Sequence, residues 1–299
     1  MAGKYSQFFT RKKGLKDIKK DIKNVKKKKI INLLLERNLV STEKNALALI
    51  LEGKVKVEGM TVQKPGITAA SNSVIEIILE KPYVSRGGLK LEGVFKELGL
   101  SAEGKKAIDI GSSTGGFTDF LLKNGVEKII DIDVGYGQLS WQIRNSPRVI
   151  VLERTNIRNL DINRLPFISN ITVVDVSFIS IKKIFNKILE LTDIGGEILL
   201  LVKPQFELAR EEVENKGIIR NKNLHQKVLK EIGEFVVKFP VKIKNFTFSK
   251  IKGSRGNIEF WIFLIKSSKG AETVSNYDKI IKDVVDRAHL YFNQSQLKK

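Results

Sequence analysis

Asp109-Ile110-Gly111-Ser112-Ser113-Thr114-Gly115-Gly116-Phe117 is the stretch on which the reading of the fold turns. It follows the apolar run Ala107 to Ile110 and opens a helical pattern, so it reads as strand, glycine loop and helix start. Glycine lets a backbone turn sharply and approach a ligand closely, and the first turn of a helix offers free N–H groups. Ser113 stands where the second glycine of Gly-x-Gly-x-x-Gly would be, so the dinucleotide fingerprint fails. An adenosine cofactor without a pyrophosphate fits better. The competing reading is a purely structural strand-to-helix turn.

Outward from this loop, apolar strands alternate with helices: Ala107 to Ile110, Ile129 to Ile132, Val149 to Leu152, Ile171 to Val174 and Ile198 to Val202. That alternation predicts an α/β, Rossmann-like domain with an open parallel sheet. Lys242 to Phe248 and Ile258 to Ile265 are strand-like and are expected to close the sheet as an antiparallel pair. Ligands of such sheets collect outside the carboxyl ends of the strands. Asp109, Asp133, Asn156, Asp175 and Lys203 are all expected on that rim. Asp133 ends the second strand and suits the ribose hydroxyls of a cofactor, with Asp131 as a close alternative. Asn156 either meets an adenine edge or caps a turn.

The chain has 299 residues, of which 42% are hydrophobic, enough for one full core and a small second module. It has no cysteine and two histidines, which excludes disulfides and thiolate metal sites and fits a reducing, cytoplasmic setting. The Lys-rich start never reaches the apolar stretch of a secretory signal, and the longest apolar runs are strand-sized, so no membrane span is expected. The net charge of +20 points to a polyanionic partner, with nucleic acid ahead of an anionic membrane surface. Residues 1–29 hold twelve Lys or Arg and two Asp, half of that excess.

Behind this basic extension (1–28), Ile30 to Leu39 and Thr42 to Leu51 have helical spacing, with a break at Val40-Ser41. Gly53 stops the second helix, and Lys54 to Val57 and Val74 to Leu79 read as short strands around a Glu58-Gly59 turn. These form a compact basic α+β domain over 29–82. Pro82 and Gly87-Gly88 mark a hinge before a helix that begins near Leu89 and leads into the larger domain, 83–268. The remainder, 269–299, contains an amphipathic helix over Tyr277 to Phe292.

Two apolar strands end in an ionisable residue and an unusual loop: Val174-Asp175-Val176-Ser177-Phe178 and Val202-Lys203-Pro204-Gln205-Phe206. A structural pair of rim charges is the plainer alternative to a catalytic pair. Glu259, in Gly256-Asn257-Ile258-Glu259-Phe260, begins its strand at the same rim, although a lone strand glutamate usually faces solvent. Lys90, in Ser85-Arg86-Gly87-Gly88-Leu89-Lys90-Leu91, stands near a helix start, where the backbone dipole disfavours a cation.

The blocks Ser85 to Leu91, Asp109 to Thr118, Asp133 to Leu139, Val149 to Ile157, Asp175 to Ser180, Val202 to Glu207 and Gly256 to Phe260 together resemble the TlyA family. These are bacterial rRNA cytidine 2′-O-methyltransferases, also called hemolysin A and related to the FtsJ-type ribose methyltransferases. The resemblance runs from Lys28 to Ile265 in order. It departs from the family in Lys29-Ile30-Ile31, where Arg-Leu-Asp is usual, and in Lys250, where a proline is expected. The resemblance implies a class I methyltransferase sheet behind a small RNA-binding domain like one found in a ribosomal small-subunit protein. It implies S-adenosylmethionine at Asp109, Gly111, Ser112, Ser113, Gly115, Gly116, Phe117, Asp133 and Asn156, and a catalytic tetrad of Lys90, Asp175, Lys203 and Glu259. It also implies rRNA or ribosomal subunits as substrate; the sequence leaves the oligomeric state, monomer or weak dimer, open.

A sulfonium methyl is already electrophilic, so the enzyme must chiefly align the ribose oxygen and manage its proton. Lys203 is expected at the hydroxyl, either as base or as hydrogen-bonding guide, with Asp175 and Glu259 orienting the two lysines. Lys29, Arg37, Lys54 and Arg144 are the basic residues expected to meet RNA phosphates. Two other functions compete: a nonenzymatic RNA-binding or ribosome-assembly factor, and a membrane-active hemolysin. The first has no use for a glycine loop with a tetrad, and the second lacks a membrane-sized apolar segment.

Overall fold

The computed structural model describes residues 26–78, 82–213, 217–269 and 277–297, so most of the basic extension lies outside the described residues. The chain divides into two compact units, residues 1–80 and 81–299.

The small unit contains β1 (Lys27–Lys29), α1 (Ile30–Glu36), α2 (Glu43–Leu51), β2 (Val55–Val57), β3 (Met60–Val62), β4 (Thr68–Ala70) and β5 (Ile75–Ile77). Helical spacing puts Ile30, Leu33 and Leu34 on one side of α1, where they pack with Ala46, Ile50 and Val55. Thr42 starts α2 by accepting a hydrogen bond from the Asn45 N–H. The first helix stops at Glu36, short of Leu39, and Asn38 then reverses the chain in the left-handed conformation (φ 54°). β2 lies between β3 and β5, and β1 pairs antiparallel with β4. Three successive lysines carry no strand signal, so β1 depends on that pairing.

The large unit runs through α3 (Arg86–Leu98), β6 (Lys106–Ile110), α4 (Gly116–Lys123), β7 (Lys128–Ile132), α5 (Trp141–Arg144), β8 (Val149–Leu152), β9 (Ser169–Val174) and α6 (Phe185–Leu191). It continues with β10 (Thr192–Val202), α7 (Pro204–Glu207), α8 (Lys222–Val236), β11 (Val241–Phe248), β12 (Phe260–Lys266) and α9 (Tyr277–Leu297). The sheet order is β11-β12-β10-β9-β6-β7-β8. The five strands from β10 to β8 are parallel, and β12 and β11 are antiparallel additions.

Helices cover both faces, which is why these strands are mostly apolar. Ile108, Ile110, Ile198 and Leu200 join one core with residues of α6, α8 and α9, while Ala107, Leu199, Leu201 and Trp261 join the other with α3 and α4. β10 begins at Thr192, earlier than its apolar run, because Gly195 (φ 80°) lets an irregular stretch interrupt the ladder before Glu197. The two histidines meet between α8 and α9, with His225 Nδ1 2.9 Å from His289 Nε2.

Gly87-Gly88 is not a hinge but the first turn of α3, capped by Ser85, whose hydroxyl accepts from the Gly87 N–H. A side chain at Gly88 would strike Tyr83, so this glycine permits close packing. Chain order reverses between neighbouring β6 and β9, which opens a crevice above their carboxyl ends.

Candidate active site

The glycine loop spans this crevice. Gly111 has φ 86°, and an added Cβ would lie 2.5 Å from the Asp175 carbonyl oxygen. A Cβ on Gly116 would meet Ser85 Oγ at 2.2 Å, and one on Gly115 would meet the Ile143 and Leu139 side chains. These glycines bring protein against protein, a tighter constraint than the approach to a ligand expected from the sequence.

A cavity of about 420 Å³ opens beside the loop, with Gly111, Ser113, Asp133, Asn156, Ile157 and Asp175 among its walls. Asp133 is fixed there by backbone donors, with Ser113 N–H at 2.8 Å and Gly135 N–H at 2.6 Å. Asn156 uses its side-chain oxygen to cap the short turn 157–159, accepting from the Arg158 N–H at 3.1 Å. The lining holds two carboxylates and neither Lys nor Arg. Asp175 is paired with Lys203, so Asp133 is the carboxylate of this wall that no basic lining residue offsets, and such walls disfavour phosphate and suit an uncharged or cationic group.

Asp109 does not reach the rim. It lies one residue inside β6, fully buried, beside Asp131, the alternative ribose acid, which is likewise buried inside β7. Thr118 Oγ1 is 2.8 Å from Asp109 Oδ2 and 2.6 Å from Asp131 Oδ1. A hydroxyl has one proton to donate, so two ionised carboxylates would leave one of these contacts between acceptors. One carboxyl of the pair therefore keeps its proton. Burial, then mutual repulsion, raises Asp109 well above the carboxylate range, and burial pushes Asp131 up to about 7.

Ser112, Gly116 and Phe117 line a second cavity, of about 470 Å³, with Lys90, Lys203 and Glu259. Phe117 is buried, with its ring centroid 5.6 Å from that of Trp261. Here the four tetrad residues form two ion pairs. Lys203 Nζ stands 2.6 Å from Asp175 Oδ1 and donates to Ser177 Oγ at 2.8 Å. Asp175 Oδ1 is held by charge, without an aligned hydrogen bond. Lys90 Nζ donates to Glu259 Oε2 at 2.6 Å, with both side chains nearly sealed from water. Burial raises the Glu259 carboxyl above its ordinary range despite the opposing charge and hydrogen bond of Lys90.

Lys90 overcomes the unfavourable helix start because β12 delivers Glu259 to it, and the same turn of α3 sends the Arg86 guanidinium to the Lys252 carbonyl. Gly253 leaves room for the glutamate: a Cβ there would lie 2.4 Å from Glu259 Oε1.

A third cavity, of about 370 Å³, adjoins the tetrad between Phe178, Lys203, Gln205, Phe206, Asn257 and Glu259. Phe178 takes φ 65° and is 81% exposed, an unusual conformation for a bulky residue, and its ring centroid is 5.0 Å from that of Phe206. Ser177, Arg86, Gly253 and Gln205 were not legible as site residues, although Ser177 and Gln205 stand inside the two strand-end motifs.

The basic residues expected at RNA are largely engaged with the protein itself. Arg37 donates to the carbonyls of Ser73 and Ser71, Lys54 pairs with Glu52 at 2.6 Å, and Arg144 pairs with Glu153 at 2.6 Å. Lys29 is exposed at the end of β1. No helix among the described residues is long and apolar enough to cross a membrane.

Residues 83–266 match the FtsJ-like methyltransferase family. The chain is 32% identical over 257 residues to the 16S/23S rRNA (cytidine-2′-O)-methyltransferase TlyA of Mycobacterium tuberculosis, an alignment covering 85% of this chain and 94% of that protein. It is 42% identical over 215 residues to hemolysin A of Brachyspira hyodysenteriae, covering 71% of this chain and 89% of that protein. A solved structure of a candidate hemolysin from Streptococcus thermophilus superposes with a TM-score of 0.69 at 36% identity, covering 90% of this chain and 98% of that one.

Proposed function

The chain belongs to the FtsJ-like methyltransferase family, and from that premise we propose that it methylates the ribose 2′-hydroxyl of a cytidine in ribosomal RNA, with S-adenosylmethionine as donor. The observation that carries this reading is the double lysine–carboxylate pair at the meeting of three cavities. S-adenosylmethionine, when bound, supplies an electrophilic methyl on a cationic sulfur. The cavity that contains Asp133 and Asp175 fits such a group, because its walls are acidic and apolar.

In this reading Asp133 meets the ribose of the cofactor and Asn156 lies beside its base. Lys203, held by Asp175 and Ser177, orients the substrate hydroxyl, and the proton released on transfer is taken up within the Lys203–Asp175 pair. Lys90 and Glu259, both largely buried, form the second ion pair in the wall of the same cavity. The small unit and the lysine run ahead of it supply phosphate contacts on rRNA or a ribosomal subunit.

The test is mass-spectrometric mapping of ribose methylation in rRNA from cells with and without the chain, repeated with purified protein and ribosomal subunits. A single cytidine that loses its 2′-O-methyl in the deletion and regains it in vitro is the expected result. Unaltered rRNA in both experiments would leave an assembly factor as the better reading.

A further inference from the structure

The wall of the third cavity carries a polar group that methyl transfer does not use. Gln205 follows Lys203 by two residues in α7, and Pro204 between them fixes the backbone. Its side-chain oxygen is buried and has no hydrogen-bond partner among the described residues. An acceptor withdrawn from water without a donor is costly, and a group bound in the cavity that brings a donor would relieve that cost. The neighbouring amide in the same wall, Asn257, is engaged at both ends: its oxygen accepts from the Ile219 N–H at 2.8 Å and its nitrogen donates to the Gly217 carbonyl at 2.7 Å.

We propose that Gln205 reads the base of the target nucleotide, accepting a hydrogen bond from the exocyclic amino group of cytosine. The inference rests on the ribose methyltransferase reading above. If the ribose hydroxyl is held at Lys203, the attached base falls into the cavity that Lys203 shares with Gln205, Phe178 and Phe206. The two phenyl rings offer an apolar face to a planar base, which is sequence-tolerant on its own. Discrimination needs an edge contact. Cytosine presents a donor at C4, whereas uracil presents a carbonyl there, which the Gln205 oxygen cannot meet unless the amide turns to offer its nitrogen instead. The reacting hydroxyl is identical in the two nucleotides, so the base acts only through docking and alignment.

The experiment compares rRNA transcribed with cytidine or uridine at the nucleotide that the wild-type chain methylates, and reads the ratio of kcat/KM for the two substrates within each protein. Because both rates come from one preparation, partial misfolding of a variant cancels. The wild type is expected to favour cytidine on the order of tenfold or more. Gln205→Leu should bring the ratio to within about twofold of unity, and Gln205→Glu, which keeps an acceptor at that position, should retain most of the preference. A preference unchanged in Gln205→Leu, or equal rates on the two substrates in the wild type, would overturn the proposal while leaving the methyltransferase reading intact. No transfer to either RNA by the wild type would overturn both.

Discussion

Lys203 has Asp175 and Ser177 as partners before any substrate arrives, so its position is set by the protein. Lys203→Ala is therefore expected to lower single-turnover methyl transfer to rRNA on the order of a hundredfold to ten-thousandfold, with cofactor affinity by calorimetry nearly unchanged. Asp133→Ala should do the reverse: it removes a cavity carboxylate and the acceptor that holds the Ser113 and Gly135 N–H groups, so affinity for S-adenosylmethionine should drop roughly tenfold or more. Asp133 and Lys203 were legible because each follows an apolar strand, and a parallel sheet puts such positions on one rim. Asp109 instead stands inside its apolar run, and one residue of difference along β6 moves its side chain from the rim into the core. Thr118 gives no sign in the sequence that it will bridge two carboxyls.

Parallel strands announced themselves through runs such as Ile129 to Ile132, whereas β1 and β4 depend on each other and have no local signature. The loop between β11 and β12 shows how much an element can add to a site. Gly253→Ala should push the Glu259 carboxyl away from Lys90 and cut methyl transfer at least tenfold, while calorimetry with S-adenosylmethionine alone stays close to wild type. The strands β6 and β7, joined through Thr118, carry a pH signature. Asp131, at about 7 in the folded chain and near 4 when unfolded, favours folding while it is protonated. Its contribution is complete below about pH 4 and is lost as the pH rises through 7. The histidine contact between α8 and α9 acts in the opposite sense, because burial lowers His225 to about 4, so its contribution is present above about pH 6.5 and fades as the pH falls through 4. Denaturant unfolding of the wild type and Asp131→Asn from pH 4 to 8 separates the two: the difference in stability should change across that range, and a constant difference would contradict the shared proton.

Half of the net charge of +20 resides in residues 1–29, far from the tetrad in sequence. Removal of residues 1–81 is expected to weaken binding to rRNA and flatten its salt dependence, since each lost phosphate contact releases fewer counterions, while S-adenosylmethionine affinity persists in a folded remainder. Filter binding at several salt concentrations gives the slope, and an unchanged slope would remove the small unit from RNA recognition. The sheet adds a constraint of a different kind. β12 is the last strand among the described residues but not an edge strand; it inserts between β11 and β10, and its register sets Phe260, next to Glu259, opposite Val202, next to Lys203. During synthesis the lysine-rich residues 1–29 emerge well before Glu259. A growing chain thus exposes its polyanion-attracting segment before Glu259 can meet Lys90, a contact that comes with the placement of β12 between two older strands.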